Sequence, residues 1–186
     1  MKRSLVASLL ASGALVSVLA PVPAHAVDGV INFMGVIRAP GCDINGNTPG
    51  LGNTQTVQLG TPTPEEVGLG NAVEAEFQLN LAGGAGCTDG RKVRIMFDPT
   101  NGTPAGNLAL LDADRAPNVE IQIRNNATGN TSVIPIGGSE TTPQIATIAG
   151  SPGSAELKYA AKYVEVGGAA GAGSGASSIK YLLSYN

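Results

Sequence analysis

The residues of this 186-residue chain whose types and spacing could do chemistry are two cysteines, one histidine and three close pairs of carboxylates. The pairs are Glu65 with Glu66, Glu74 with Glu76, and Asp112 with Asp114. Two carboxyl groups facing each other across a cleft would suit glycoside hydrolysis. Carboxylates one or two positions apart belong instead to a turn or to the polar face of a strand, where water solvates them. His25 lies in a segment that reads as a secretory signal, so the mature chain has no imidazole for a Ser-His or Cys-His unit. No strict GxGxxG or P-loop occurs, and the Gly-rich stretch 167–175 precedes no helical pattern. The expectation is a protein that is not an enzyme, with no catalytic, cofactor-binding or metal-ligating residues and no cofactor.

Cys42 and Cys87 remain. An even count in an exported chain argues for one disulfide, and two free thiols are the alternative. Closing a loop of roughly 45 residues would stabilise the fold by about 4 kcal/mol on the chain-entropy account. A metal site would need further His or Cys ligands, which the mature chain lacks.

Export is read from residues 1–26. Lys2 and Arg3 form a basic start, residues 5–20 are an apolar run, and Ala24-His25-Ala26 is a small-x-small cleavage site. The run is short for a membrane span and is followed directly by Pro21 and Pro23; an uncleaved anchor is the competing reading. Cleavage after Ala26 leaves 160 residues, enough for one domain with a core. It also removes Lys2 and Arg3 and takes the net charge from −3 to −5, which leaves no electrostatic footprint for nucleic acid.

The elements that would position these residues are strands. Gly, Thr, Asn, Ser and Pro punctuate the chain and the apolar runs between them are short, an all-β pattern. Val73, Ala75, Phe77, Leu79 and Leu81 alternate with Glu74, Glu76, Gln78 and Asn80, which puts the first set on a core and the second in water. Similar strands are predicted at 54–59, 92–97, 119–124, 132–136, 155–164 and 178–185. Turn signals lie between them at Asn45-Gly46, Asp89-Gly90 and Asn101-Gly102. No long amphipathic helix is predicted, and short strands at this spacing suggest an immunoglobulin-type sandwich. The stretch GGAAGAGSG at 167–175 has nothing to pack a core, so it is expected to be a loop, read as a flexible linker and, compatibly, as one that frees the last strand to sit at a sheet edge.

Both ends read as strands in need of a partner. In residues 27–39 one face carries Gly29, Ile31, Phe33, Gly35, Ile37 and Ala39, apolar throughout. Inserting Ile31, Phe33 and Ile37 into a groove would contribute roughly 5–9 kcal/mol, at about 1.5–3 kcal/mol per large side chain. Main-chain pairing to a sheet edge would fix the register, as in strand addition. The competing reading is the first strand of the chain's own sheet. At the other end Ile179, Tyr181, Leu183 and Tyr185 share one face, and Asn186 follows. An exposed apolar edge there invites a partner, unless an earlier strand covers it.

At these residues the chain resembles the chaperone–usher pilus subunits of the type 1 fimbrial protein family, major or minor pilins. The resemblance covers 27–186. It rests on Gly35 in an alternating extension, then Pro40-Gly41-Cys42-Asp43-Ile44, Thr56-Val57-Gln58-Leu59-Gly60 and Phe77-Gln78-Leu79-Asn80-Leu81 running into Cys87. Val119-Glu120-Ile121-Gln122-Ile123, Gly173 (the fourteenth residue from the end) and the penultimate Tyr185 follow. The resemblance implies an all-β, incomplete immunoglobulin-like sandwich lacking its seventh strand, with a signal peptide at 1–26, a donor-strand extension at 27–40 and a pilin domain at 41–186. It implies a disulfide joining Cys42 to Cys87. The groove edge would be the strand carrying Ile179, Tyr181, Leu183 and Tyr185, with Gly173 ahead of it. A periplasmic chaperone would pair with that strand first and hold the terminal carboxylate of Asn186. At an outer-membrane usher, Gly29, Ile31, Phe33, Gly35 and Ile37 of the next subunit would displace it. A head-to-tail contact of this kind does not close and gives a filament. The implied function is structural: a subunit of an adhesive surface fimbria, exported through the periplasm and supporting cell adhesion, with neighbouring subunits and a host or surface receptor as further partners. Fifteen residues between the cleavage site and Cys42 make a shorter extension than is typical of rod-forming pilins, closer to minor tip subunits.

Two other functions fit the same residues. A two-domain sugar-binding adhesin needs a lectin domain for which 160 residues leave no room, and this chain has three Phe, four Tyr and no Trp to build sugar platforms. A receptor-binding minor tip subunit stays as an alternative. A self-contained secreted sandwich is the other, and it differs in needing residues 27–38 in cis.

Overall fold

Period-two alternation builds the long strands of the computed structural model, which describes residues 40–186. The expectations on the signal segment 1–26 and on Gly29, Ile31, Phe33, Gly35 and Ile37 fall outside the described residues. Strand β1 is Asp43–Ile44 and β2 is Ala75–Ala82, with Leu79 and Leu81 in the core and Gln78 and Asn80 in water. Strand β3 is Lys92–Phe97 and buries Val93 and Ile95; β4 is the two-residue Leu108–Ala109. Strand β5 is Val119–Asn125, burying every second residue from Val119 to Asn125, and β6 is Ala146–Thr147. Strand β7, Ser154–Glu165, is the central one, with Leu157 and Tyr159 fully buried; β8 is Tyr181–Tyr185.

The strands form two sheets, in the orders β1-β2-β7-β5-β4 and β6-β3-β8, and all pairings are antiparallel. This is the expected immunoglobulin-like sandwich. Its core centres on Tyr159, whose ring lies 5.5 Å from Phe77 of β2 and 5.8 Å from Phe97 of β3, bridging the two sheets. Burial pushes the Tyr159 phenol far above its ordinary pKa, and its hydroxyl has no hydrogen-bond partner among the described residues. Cys42 and Cys87 form a disulfide that ties the start of β1 to the turn after β2.

The helix α1, Pro64–Gly68, is short because only its N-terminus is well signalled. Thr63 caps it, its hydroxyl accepting the Glu66 N–H at 3.2 Å while the Glu66 carboxylate accepts the Thr63 N–H at 2.7 Å. The Thr63 N–H, and after it the Thr63 hydroxyl donating at 2.9 Å, hold the Glu66 carboxyl below its ordinary pKa.

Four expectations need correction. Val73 is 78% exposed, because β2 begins at Ala75 and Glu74 is turned toward Arg124. Residues 54–59 are not a strand: Val57 and Leu59 are half-buried between exposed neighbours, yet no main-chain group from 55 to 60 is hydrogen-bonded to another described one. Residues 132–136 make a single bridge, Arg124 with Val133, rather than a strand, since Pro135 has no N–H to continue a ladder. The Gly-rich stretch is not a flexible linker. Gly171 donates to the Pro117 carbonyl, Ser174 to Asp114, and Ala116 to Ser174, and Ala170 packs on the core.

Candidate functional site

The last strand lies at the edge of the three-stranded sheet, paired with β3 alone among the described strands. Its register sets Val93 against Tyr185, Ile95 against Leu183 and Phe97 against Tyr181. Lys92 and Asn186 exchange both main-chain hydrogen bonds, at 3.0 and 2.9 Å, and Asp98 donates to the Lys180 carbonyl at 2.8 Å. In an antiparallel ladder bonded and non-bonded pairs alternate. Lys180, Leu182, Ser184 and Asn186 therefore turn their peptide groups toward β3, and Tyr181, Leu183 and Tyr185 turn theirs to the open side.

The same alternation sorts the side chains. Tyr181, Leu183 and Tyr185, with Ile179 just before them, are half-buried against the core, while Leu182 is 53% exposed. The residues whose N–H and C=O groups have no partner among the described residues thus also carry an incompletely covered apolar face. Burial raises the pKa of Tyr181, with a smaller push from Tyr185. Burial also raises that of Tyr185, opposed by the Cys42 N–H and the Arg91 charge. Both phenols are neutral at physiological pH. Neither side chain therefore brings a charge of its own to the inner face of the edge.

Cys42 N–H donates to the Tyr185 hydroxyl at 3.1 Å, and the Arg91 guanidinium lies 4.9 Å from the centre of the Tyr185 ring. Alternation places Tyr185 on the inner face but gives no sign of these partners, because they come from 143 and 94 residues earlier in the chain. Asn186 is exposed beyond the strand. Gly173 stands apart from β8: a Cβ on it would lie 2.4 Å from the Ala116 nitrogen, so it is a close-approach glycine.

Two further concave surfaces among the described residues lie elsewhere. One of about 580 Å³ is lined by Gly102, Thr103, Ala105, Pro135 and Gly138, and another of about 440 Å³ by Leu110, Arg115, Val119, Glu120 and Val166. Among the described residues no group of three or more His, Cys, Asp or Glu side chains is placed to hold a metal ion. The predicted carboxylate pairs are not brought face to face as pairs. Glu74 is taken by Arg124, and Asp112 accepts the Ser174 hydroxyl.

No family model matches the chain. It is 34% identical over 177 residues to the major fimbrial subunit SMF-1 of Stenotrophomonas maltophilia (strain K279a), covering 90% of this chain and 98% of that one. Among solved structures it is similar to a chain of a chaperone–usher pilus whose structure addresses the molecular basis of rod uncoiling. That match has a TM-score of 0.50 and 16% identity over 90% of this chain and 100% of that chain, and at that identity the likeness is one of fold. The tip adhesin CupB6 of Pseudomonas aeruginosa matches with a TM-score of 0.42 and 18% identity, over 60% of this chain and 30% of that chain.

Proposed function

The chain belongs to the fimbrial subunit family, and from that premise we propose that it is a structural pilus subunit that polymerises by strand donation, with β8 as the acceptor edge. The open side of β8 carries the reading: among the described residues the peptide groups of Tyr181, Leu183 and Tyr185 have no partner, along a half-buried apolar face. An incoming strand gains a hydrogen-bond ladder and covers that face in one step.

The donor is residues 27–38 of the next subunit, with Ile31, Phe33 and Ile37 inserting and Gly29 and Gly35 sharing their face. Residues 55–60 supply a second segment whose peptide groups have no main-chain partner among the described residues, and Leu59 on it packs on the core. Before assembly a periplasmic chaperone holds the β8 edge, and an outer-membrane usher is where exchange occurs. The path runs from a signal peptide at 1–26 through the periplasm to an extracellular fimbria. Residues 41–186 form the subunit body and 27–40 its donor extension. A surface receptor is reached through the finished fibre.

Thermal unfolding of an oxidised chain lacking residues 27–38, with and without a peptide of that sequence, tests this. The peptide is expected to raise the melting temperature by about 10 °C or more, taking roughly 5–9 kcal/mol of burial less the cost of ordering it. Phe33→Asp in the peptide removes the rise. A truncated chain that is stable alone and indifferent to the peptide sinks strand donation and leaves a self-contained sandwich.

A further inference from the structure

We propose that Tyr185 is a positioning residue that joins the acceptor edge to the root of the chain's own N-terminal extension, so that filling the edge of β8 fixes how the extension leaves the domain. This rests on the strand-donation reading. The joint is visible from both sides. On one side the Tyr185 peptide groups point to the open edge, where a donated strand would bond them. On the other, its hydroxyl accepts the Cys42 N–H at 3.1 Å, and a Cβ on Gly41 would lie 3.0 Å from the ring. Pro40, Gly41 and Cys42 are the residues from which the segment 27–39 continues in sequence.

The rest of that root is fastened by groups outside β8. Cys42 is bonded to Cys87, and the Gly86 N–H donates to the Gly41 carbonyl at 3.3 Å. A Cβ on Gly86 would lie 1.9 Å from the Pro40 carbonyl oxygen, so the two backbones are in contact. Arg91 donates to the Gly86 carbonyl at 2.8 Å and places its guanidinium over the Tyr185 ring. Pro40 to Cys42 is thus held between a fixed turn and one side chain that belongs to an open strand. Among the described contacts, the direct link from this root to β8 runs through Tyr185, with Arg91 stacked on the same ring. Pairing restricts the Tyr185 backbone, hence its ring, and the hydroxyl passes that restriction to the Cys42 amide. By linkage, holding the Cys42 amide also favours pairing at the edge. In a fibre each subunit with a filled edge would then offer its own extension from a fixed root.

Hydrogen exchange at the Cys42 amide, followed by NMR in the oxidised chain lacking residues 27–38, where no neighbouring extension can fill the edge, with and without an excess of the 27–38 peptide, tests the joint. In the wild type the peptide is expected to slow that exchange about three- to tenfold, the span of one hydrogen bond's net strength. In Tyr185→Phe, which keeps the ring, exchange at Cys42 is faster without peptide and no longer slowed by it, although the peptide raises the melting temperature as before. If Tyr185→Phe does not fold, Gly41→Ala displaces the ring and is expected to uncouple Cys42 in the same way. A peptide that raises the melting temperature but leaves Cys42 exchange unchanged in the wild type overturns the joint and spares strand donation, as does a Tyr185→Phe chain that slows like the wild type. A peptide that leaves the wild-type melting temperature unmoved overturns both.

Discussion

Arg124 on β5 grips the carboxylate of Glu74, the residue before β2, across the strand that separates them. Its Nε lies 2.9 and 3.0 Å from the two carboxylate oxygens, its Nη2 closes the fork, and Lys162 of β7 stands 3.9 Å away. Three neighbouring strands are thereby cross-tied on the outer face of the larger sheet. The Arg124 hydrogen bonds hold the Glu74 carboxyl below its ordinary 4.5, against an opposing push from desolvation. A depressed carboxylate stabilises the fold fully above its ordinary pKa and stops doing so as pH falls through the lowered value. Arg124→Met is therefore expected to cost about 1 kcal/mol at pH 7, a partly exposed but bidentate pair. That is roughly 2–4 °C in melting temperature, and the gap should close as the pH is taken well below 4.5. A gap that persists undiminished at pH 2.5 would mean the arginine acts by packing alone.

Gly171, Gly173 and Gly175 in the 167–175 stretch are held to size by their neighbours. A Cβ at position 175 would lie 2.1 Å from the Tyr163 hydroxyl oxygen, the same hydroxyl that donates to the Gly175 carbonyl at 3.0 Å. At 173 it would meet the main chain of Arg115 and Ala116. Gly173→Ala is expected to destabilise by about 1–3 kcal/mol, because backbone cannot step aside as a side chain does. Gly52→Ala, where nothing lies within 4 Å, is the control and should leave the melting temperature unchanged. Equal melting temperatures for the two variants would return the stretch to the status of a linker.

That stretch also marks where sequence reading stops. Alternation located β2, β3, β5 and β7, because each has one face on the core and a turn at its end. It placed Tyr181, Leu183 and Tyr185 on one face of the last strand for the same reason. The two-residue strands β1, β4 and β6 were not legible, since two residues carry no period. Residues 54–59 alternate like a strand, yet from 55 to 59 no main-chain group has a described main-chain partner, because alternation reports burial and not pairing. The contacts of Gly173 with Ala116 and of Tyr185 with Cys42 join positions far apart in sequence, and glycine composition alone does not distinguish close approach from looseness.

The disulfide fixes the first strand to the turn at Cys87 across 45 residues. Reduction, or replacement of both cysteines by alanine, is expected to cost about 4 kcal/mol, the loop-closure entropy returned to the unfolded chain. Urea unfolding with and without a reductant measures it. Since Cys42 is fully buried against Cys87, the variant also loses contacts, so the figure is a lower bound. A loss under 1 kcal/mol would place the stability of the region in the Gly86 and Tyr185 contacts instead.

Leu182 and Leu183 are adjacent, chemically identical and turned to opposite faces, so they separate strand capture from surface chemistry. Leu183 pairs with Ile95, packs on the core and turns its peptide groups to the open edge; Leu182 pairs with Met96, and both are exposed, at 53% and 46%. Leu183→Asp puts a charge under the incoming strand. It is expected to lower the stability of the chain by about 2–4 kcal/mol and to abolish the melting-temperature rise caused by the 27–38 peptide. Leu182→Asp adds a solvated charge, with a change within about 0.5 kcal/mol and peptide capture intact. Fibre assembly by electron microscopy should follow the same division. Should Leu182→Asp block capture while Leu183→Asp permits it, the donated strand would have to lie on the outer face of the sheet, and the edge geometry described for β8 would not be the acceptor.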